Sequence, residues 1–244
     1  MSNILSLNGV QKSFGALKVA DNVSFDLPRG QALGIIGPNG AGKSTLFNLI
    51  GGTLPADAGA IAFQGTDVTG KSASERCRMG ISRSFQIPHP FVGMSVYENL
   101  LVAAAFGNTG DHDAAALCKD ILGRTGLLAK ANRPAGSLTL LERKRLELAR
   151  ALASGPQLLL LDEIAGGLTE AECHDLVGTI KSIRDAGVSI IWIEHIVHAL
   201  TAVVERLIVI DFGKIVAEGE PAKVTVDPLV QEIYMGIAVD DAAA

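Results

Sequence analysis

The sequence predicts an α/β fold: a mainly parallel sheet with an antiparallel β attachment and a helical insertion. Residues 158–161, 188–193 and 207–210 are apolar runs of strand length, and the helical stretch 169–185 separates the first two. Apolar strands interrupted by helices mark a sheet covered on both faces. By contrast, 4–10 and 23–27 alternate apolar and polar residues. That is the pattern of half-buried antiparallel strands. The middle third has helical character, which supplies the insertion.

Each element has its own signal. Residues 31–36 are more uniformly apolar and break into Gly37-Pro38-Asn39-Gly40, while 46–50 read as an apolar helix. Turn chemistry from Pro55 to Gly59 precedes a short strand at 60–63. Ser95-Val96-Tyr97-Glu98 has the Ser-x-x-Glu form of a capping box ahead of the apolar run 100–106. Residues 108–113 read as a loop tip and 114–126 as a further helix. Thr139 to Glu142 is a Thr-x-x-Glu box opening a long helix through Arg145, Leu148 and Arg150. Thr169-Glu170-Ala171-Glu172 repeats the device at the start of 169–185.

The composition limits function. At 244 residues, with 48% hydrophobic and 19% charged, the chain can bury a core without disulfide or metal staples. A net charge of −5 counts against nucleic acid as the main partner, because phosphate binding leaves a basic footprint. No apolar run approaches the ~18 residues that span a bilayer. Met1-Ser2-Asn3-Ile4 has neither a basic flank nor an apolar secretory core, so a cytoplasmic location is expected. Cys77, Cys118 and Cys173 are widely spaced and read as reduced thiols.

Gly37-Pro38-Asn39-Gly40-Ala41-Gly42-Lys43-Ser44-Thr45 matches G-x-x-x-x-G-K-[ST] between a strand and a helix. Its glycines let backbone amides curl around a phosphate, and the helix N-terminus adds the positive end of a dipole. Lys43 can neutralise β/γ charge, and the Ser44 hydroxyl can ligate magnesium. Kinases, GTPases and many ATPases share this loop. The strand 158–161 ends in Asp162-Glu163, where the aspartate can hold magnesium and Glu163 can orient or deprotonate an attacking water. His195 follows the strand 188–193 and so falls at the same sheet edge, where open α/β sheets bind ligands. It can bond a γ-phosphate or the attacking water, or be a structural histidine. No Asn-Lys-x-Asp segment occurs, which disfavours a GTPase.

Taken together, these residues resemble the ATP-binding subunit of an ABC transporter over nearly the whole chain. The resemblance implies a P-loop NTPase core of the ABC ATPase type, with an antiparallel β subdomain and a helical subdomain. It implies one domain over 1–236, a helical lobe inserted at about 87–155, and a flexible tail at 237–244. Phe14 matches the aromatic that stacks on adenine. Gln86, in Arg83-Ser84-Phe85-Gln86, matches the glutamine loop that senses magnesium and the γ-phosphate. Asp162 and Glu163 match the acidic pair, and His195 the switch histidine. The implied cofactors are ATP and Mg2+. The stretches GPNGAGKSTLFN (37–48), 83–86, 94–99 and 217–236 resemble the branch that serves branched-chain amino acid importers and their relatives.

The sequence departs from that family in three places. Leu138-Thr139-Leu140-Leu141-Glu142 stands where the signature reads LSGGQ, Ile164 where a proline follows the acidic pair, and Thr169 where an aspartate is usual. The signature completes a partner's ATP site in trans, so the two leucines bear on phosphate approach. A capped helix still presents amides and a dipole. Two charge runs read as surface. Arg143-Lys144-Arg145 is expected to be a solvated helix face, and Lys71, Arg76, Arg78 and Arg83 a mildly basic patch.

The resemblance implies an importer ATPase working with membrane permease subunits, a second ABC ATPase subunit in a heterodimer, and a periplasmic or extracellular solute-binding protein. It would sit peripherally on the inner face of the cell membrane. The alternatives are a soluble ABC ATPase acting on nucleic acid or ribosomes, and the ATPase of a lipid-extracting transporter. The first expects a second cassette, a long coiled insertion or a basic face, and the sequence has none of these.

Overall fold

In a computed structural model describing residues 2–108, 110 and 113–235, two sheets and a set of helices enclose two apolar cores. The strands β1 (Asn3–Phe14), β2 (Leu17–Pro28), β4 (Ala58–Phe63) and β5 (Thr66–Asp67) form an antiparallel sheet in the order β2-β1-β4-β5. The second sheet holds β3 (Ala32–Ile36), β6 (Ile81–Arg83), β7 (Leu158–Asp162), β8 (Ser189–Ile193), β9 (Arg206–Asp211) and β10 (Lys214–Gly219). Its order is β10-β9-β3-β8-β7-β6, parallel except for the β9–β10 hairpin. Both expected sheets are therefore present. The alternating strands are longer than 4–10 and 23–27, because a tight hairpin at Gly15 and Ala16 lets pairing run from Asn3–Pro28 to Phe14–Leu17.

The central strands β3, β7 and β8 are buried along their whole length, and their side chains alternate between two cores. Leu158 and Leu160, with Ile191 and Ile193, enter the core that holds Leu46 and Phe47. Leu159, Leu161, Ile190 and Trp192 enter the other, beside Leu146, Leu176 and Ile180. The period of two thus assigns every second residue to one face. Asp162 follows Leu158 and Leu160, so it falls on the face of α1 (Lys43–Gly51).

The other helices are α2 (Ala73–Met79), α3 (Val96–Phe106), α4 (Ala114–Arg124), α5 (Leu140–Ala153), α6 (Glu170–Asp185), α7 (Val197–Thr201), α8 (Pro221–Val224) and α9 (Pro228–Met235). The three boxes expected at Ser95, Thr139 and Thr169 all form, and Ser72 with Glu75 makes a fourth on α2. In each, a hydroxyl accepts an orphan N–H of the first turn while the glutamate reaches back to the cap. Helix α3 packs on α4 and α5 between β6 and β7 in the chain, forming a helical lobe. The tail at 237–244 and residues 109, 111 and 112 of the expected loop tip lie outside the described residues.

Two surface expectations are overturned. Lys144 is 5% exposed, because α5 is enclosed on most sides and its first turns face the ends of β7 and β8. Arg143 donates to the Leu138 and Gly136 carbonyls instead of making i, i+4 pairs. Two of the four members of the expected basic patch turn inward in the same way, while Arg78 stays exposed. Arg76 is 1% exposed and donates to the carbonyls of Leu49, Ile50, Thr69 and Lys71. Arg83 pairs inward with Asp162. Guanidinium groups have enough donors to replace water in such sites.

Because β7 is buried on both faces, Leu160→Ala should destabilise the fold by about 2–5 kcal/mol. Urea titration should show a lowered midpoint with an unchanged slope.

Candidate active site

The phosphate loop leaves β3 and enters α1 with no side-chain cap, Gly42 being the left-handed N-cap with φ 104°. An uncapped first turn leaves its N–H groups available to a ligand. Close packing requires the glycines. A Cβ on Gly37 would lie 2.1 Å from the Ile210 carbonyl oxygen, and one on Gly42 2.3 Å from that of Val19. Gly213, in the β9–β10 turn, donates its N–H to Ala41 O at 2.9 Å and braces the loop from outside. Lys43 Nζ donates to Gly37 O at 2.7 Å and Pro38 O at 2.9 Å. Burial pushes its pKa down, while Glu163 and then Asp162 act the other way. A buried ammonium at the mouth of an uncapped helix fits a polyphosphate.

Asp162 ends β7 and is buried; its Oδ2 takes Arg83 Nη2 at 2.6 Å. Arg83 also donates through Nη1 to Asn48 on α1 at 2.6 Å, and its guanidinium lies over the rings of Phe47 and Phe85. The remaining oxygen of Asp162, the exposed Ser44 hydroxyl and Gln86 are oxygen donors suited to magnesium with phosphate oxygens and water completing the shell. Among the described residues there is no group of three or more His, Cys, Asp or Glu that would form an all-protein metal cage. That fits an ion held mainly by its nucleotide.

Glu163 takes a left-handed backbone, φ 45°, which is uncommon for a residue with a Cβ. The turn projects its carboxylate into a cleft of about 490 Å³, lined also by Gln86, Leu140, Lys144 and His195. There Glu163 Oε1 lies 2.7 Å from His195 Nε2, and Oε2 accepts from Gln86 Nε2 at 2.5 Å. Three of the residues singled out in the sequence, remote in the chain, thus meet on one carboxylate. Lys144 Nζ, from α5, reaches the Glu163 carbonyl at 3.4 Å.

The other predicted residues occupy the periphery. Phe14 ends β1 with 53% of its surface exposed, so it is no core aromatic. Its hairpin is continuous with Val19, the neighbour of Gly42. Leu138 is buried, whereas Leu140 is half-exposed at the rim of the Glu163 cleft. Thr139 caps α5, and the Glu142 carboxylate folds back to accept the Thr139 N–H and pairs with Lys130. The negative charge introduced into the signature segment is thereby partly neutralised.

Sequence reasoning missed three charged residues of this site: Arg83, Lys144 and Glu194. Glu194 is 1% exposed. Its Oε2 accepts from the Ala165 N–H at 3.0 Å and its Oε1 from the His195 N–H at 2.9 Å. The available signal was an acidic residue directly after a wholly apolar strand.

Geometry of this kind defines a nucleotide-hydrolysing protein of the phosphate-loop class. A family model described as ABC transporter matches residues 20–166. A probable branched-chain amino acid transport ATP-binding protein LivG of Methanocaldococcus jannaschii is 35% identical, the match covering 96% of this chain and 97% of that one. The high-affinity branched-chain amino acid transport ATP-binding protein LivG of Escherichia coli (strain K12) is 34% identical, with 96% and 98% covered. Among solved structures, the ADP conformation of MJ1267, an ATP-binding cassette of an ABC transporter, superposes with a TM-score of 0.89. It is 33% identical and covers 97% of this chain and 100% of its own. The chain belongs to the ABC transporter family, as an ATP-binding subunit in which ATP hydrolysis is coupled to transport.

Lys43→Ala should abolish ATP binding, since the polyphosphate would lose its buried countercharge. Titration calorimetry giving an unchanged affinity for that variant would remove the loop from the nucleotide site.

Proposed function

We propose that this chain powers import of a branched-chain amino acid or a related small polar solute, hydrolysing ATP with Mg2+. The observation that carries the mechanism is the meeting of Gln86 and His195 on the Glu163 carboxylate beside the phosphate loop. In this reading Phe14 stacks on adenine and residues 37–45 cradle the phosphates. Ser44, Asp162 and Gln86 would hold a magnesium ion, which would neutralise phosphate charge. Glu163 takes a proton from the attacking water, and His195 holds the carboxylate and water in line. The solute class rests on the names of the LivG relatives.

A membrane location on the cytoplasmic face follows from partnership with permease subunits, which would be fed by a periplasmic or extracellular solute-binding protein. No helix among the described residues is long and apolar enough to cross a membrane. An apolar groove of about 330 Å³ between the core and the helical lobe, lined by Ala73, Cys77, Phe85, Val102 and Phe106, offers the permease a docking surface. Glu147 and Arg150 lie at its floor, 3.0 Å apart, and burial pushes the Glu147 carboxyl up against the pull of Arg150. The inward pairing of Arg76, Arg83 and Lys144 takes three cations off the surface, which weighs against a nucleic-acid partner.

The partner ATPase is inferred to be a different chain. This chain's phosphate loop, acidic pair and histidine are complete, while the segment it offers in trans carries Leu140 and Leu141 in place of glycines. A heterodimer with an intact signature on the partner equips the site built on Lys43 and Glu163 and leaves the other weaker.

Glu163→Gln should preserve ATP binding and lower turnover by ~10²–10⁴-fold, with His195→Ala also slowing turnover. In the reconstituted complex, the same change at the partner's catalytic glutamate should cost far less. Equal losses, or brisk hydrolysis by a homodimer of this chain, would count against the asymmetric pair, and near-normal turnover of Glu163→Gln would move the base elsewhere.

A further inference from the structure

We infer that Glu194 is a positioning residue for hydrolysis, its single buried carboxylate holding both the left-handed turn that aims Glu163 and the backbone that carries His195. The inference rests on the reading of Glu163 as the base. A non-glycine residue with φ 45° persists only where its surroundings over-determine it. Three contacts do so here. The Glu163 N–H donates to Ile193 O at 2.9 Å, Lys144 Nζ reaches the Glu163 carbonyl at 3.4 Å, and Glu194 Oε2 accepts the Ala165 N–H two residues on, at 3.0 Å. The other oxygen of Glu194 takes the N–H of His195 at 2.9 Å. One carboxylate therefore fixes the distance between the two loops whose side chains meet at 2.7 Å.

The placement is otherwise costly. A carboxylate with 1% exposure loses its hydration and is tolerated only when hydrogen-bonded and electrostatically compensated. Compensation comes from Lys144, itself buried. Burial pushes the lysine pKa down, while Glu194 first and then Glu163 oppose that shift. Lys144 lies in the second turn of α5, whose first residues form the altered signature, and its bond to the Glu163 carbonyl joins that helix to the catalytic loop. Ile164 makes the constraint more necessary. A proline there would stiffen the turn through its ring, whereas with isoleucine the next N–H is pinned from across the sheet edge.

The test uses the full chain for nucleotide binding and the reconstituted transporter for turnover. Glu194→Gln keeps shape but offers one oxygen where two N–H groups need acceptors. It should lower kcat about 10–100-fold, the factor that one charge-assisted hydrogen bond corresponds to, with the ATP Kd changed less than about twofold. In the Glu163→Gln background the same change should lower residual turnover less than about twofold, because both act through one carboxylate. Should Glu194→Gln not fold, Glu194→Asp must show the same split between kcat and Kd. Parallel loss of ATP affinity and rate in both variants, or multiplicative losses in the double variant, would overturn the inference. Normal turnover of Glu194→Gln beside an inactive Glu163→Gln would overturn this inference alone. Normal turnover of Glu163→Gln would overturn the base assignment and this inference with it.

Discussion

The parallel register of β3, β8 and β7 is the constraint on which the site depends. Ile35 pairs with Ile193 and Asp162 with Ile193, so three strands end level at one edge and release their loops side by side. The phosphate loop, the acidic pair and the histidine loop are thereby brought to one edge, where the Glu194 carboxylate ties the last two together. A slip of one residue in β7 would turn Asp162 away from α1. The four leucines, buried on both faces, are interchangeable between the cores, so what opposes the slip is Asp162, whose pairing with Arg83 exists only on the α1 side.

That edge also explains which parts of the site were legible in the sequence. Residues 37–45 announce themselves because a tight loop with a buried lysine tolerates few alternatives, and Asp162, Glu163 and His195 because each follows an apolar strand. The capping boxes at 95, 139 and 169 were equally visible, being local hydrogen-bond patterns. Arg76, Arg83, Lys144 and Glu194 were not. Their roles come from partners distant in the chain, and a basic residue in a polar stretch has the same local signature whether it meets solvent or a carbonyl cluster. Arg83 shows the difficulty well. It stands between two buried serines at the end of a short strand, and only the β6–β7 pairing brings it to Asp162. The strand β10 and the helices α2 and α9 were hidden for a related reason, since they are short and partly exposed and their patterns have little period to read.

Helix α5 carries opposite demands at its two ends. Its N-terminus must remain polar and open if it is to meet a phosphate, yet its body is packed among Leu146, Leu148 and Ala149 with almost no exposure. The box of Thr139 and Glu142 reconciles them, because a glutamate bonded to its own cap and to Lys130 presents less negative field than a free one. The two leucines are a different matter. Leu140 is half-exposed, and side chains at 140 and 141 keep another backbone from approaching as closely as it could over glycines. The segment therefore retains the electrostatics of a helix start while giving up the close contact.

Two connections join the helical lobe to the catalytic carboxylate. Gln86 leaves β6 toward the lobe and donates to Glu163 Oε2, and Lys144 comes back from α5 to the Glu163 carbonyl. They differ in stiffness. Gln86 is exposed on a loop, where side chain and backbone can move on fast timescales, while Lys144 is enclosed and paired with the field of Glu194. The two contacts are therefore unequal: one oxygen of Glu163 is bound from an exposed loop, and its backbone carbonyl from a buried helix. The cost of the left-handed turn at Glu163 is met on the buried side of the site, by Lys144, the Ile193 carbonyl and Glu194.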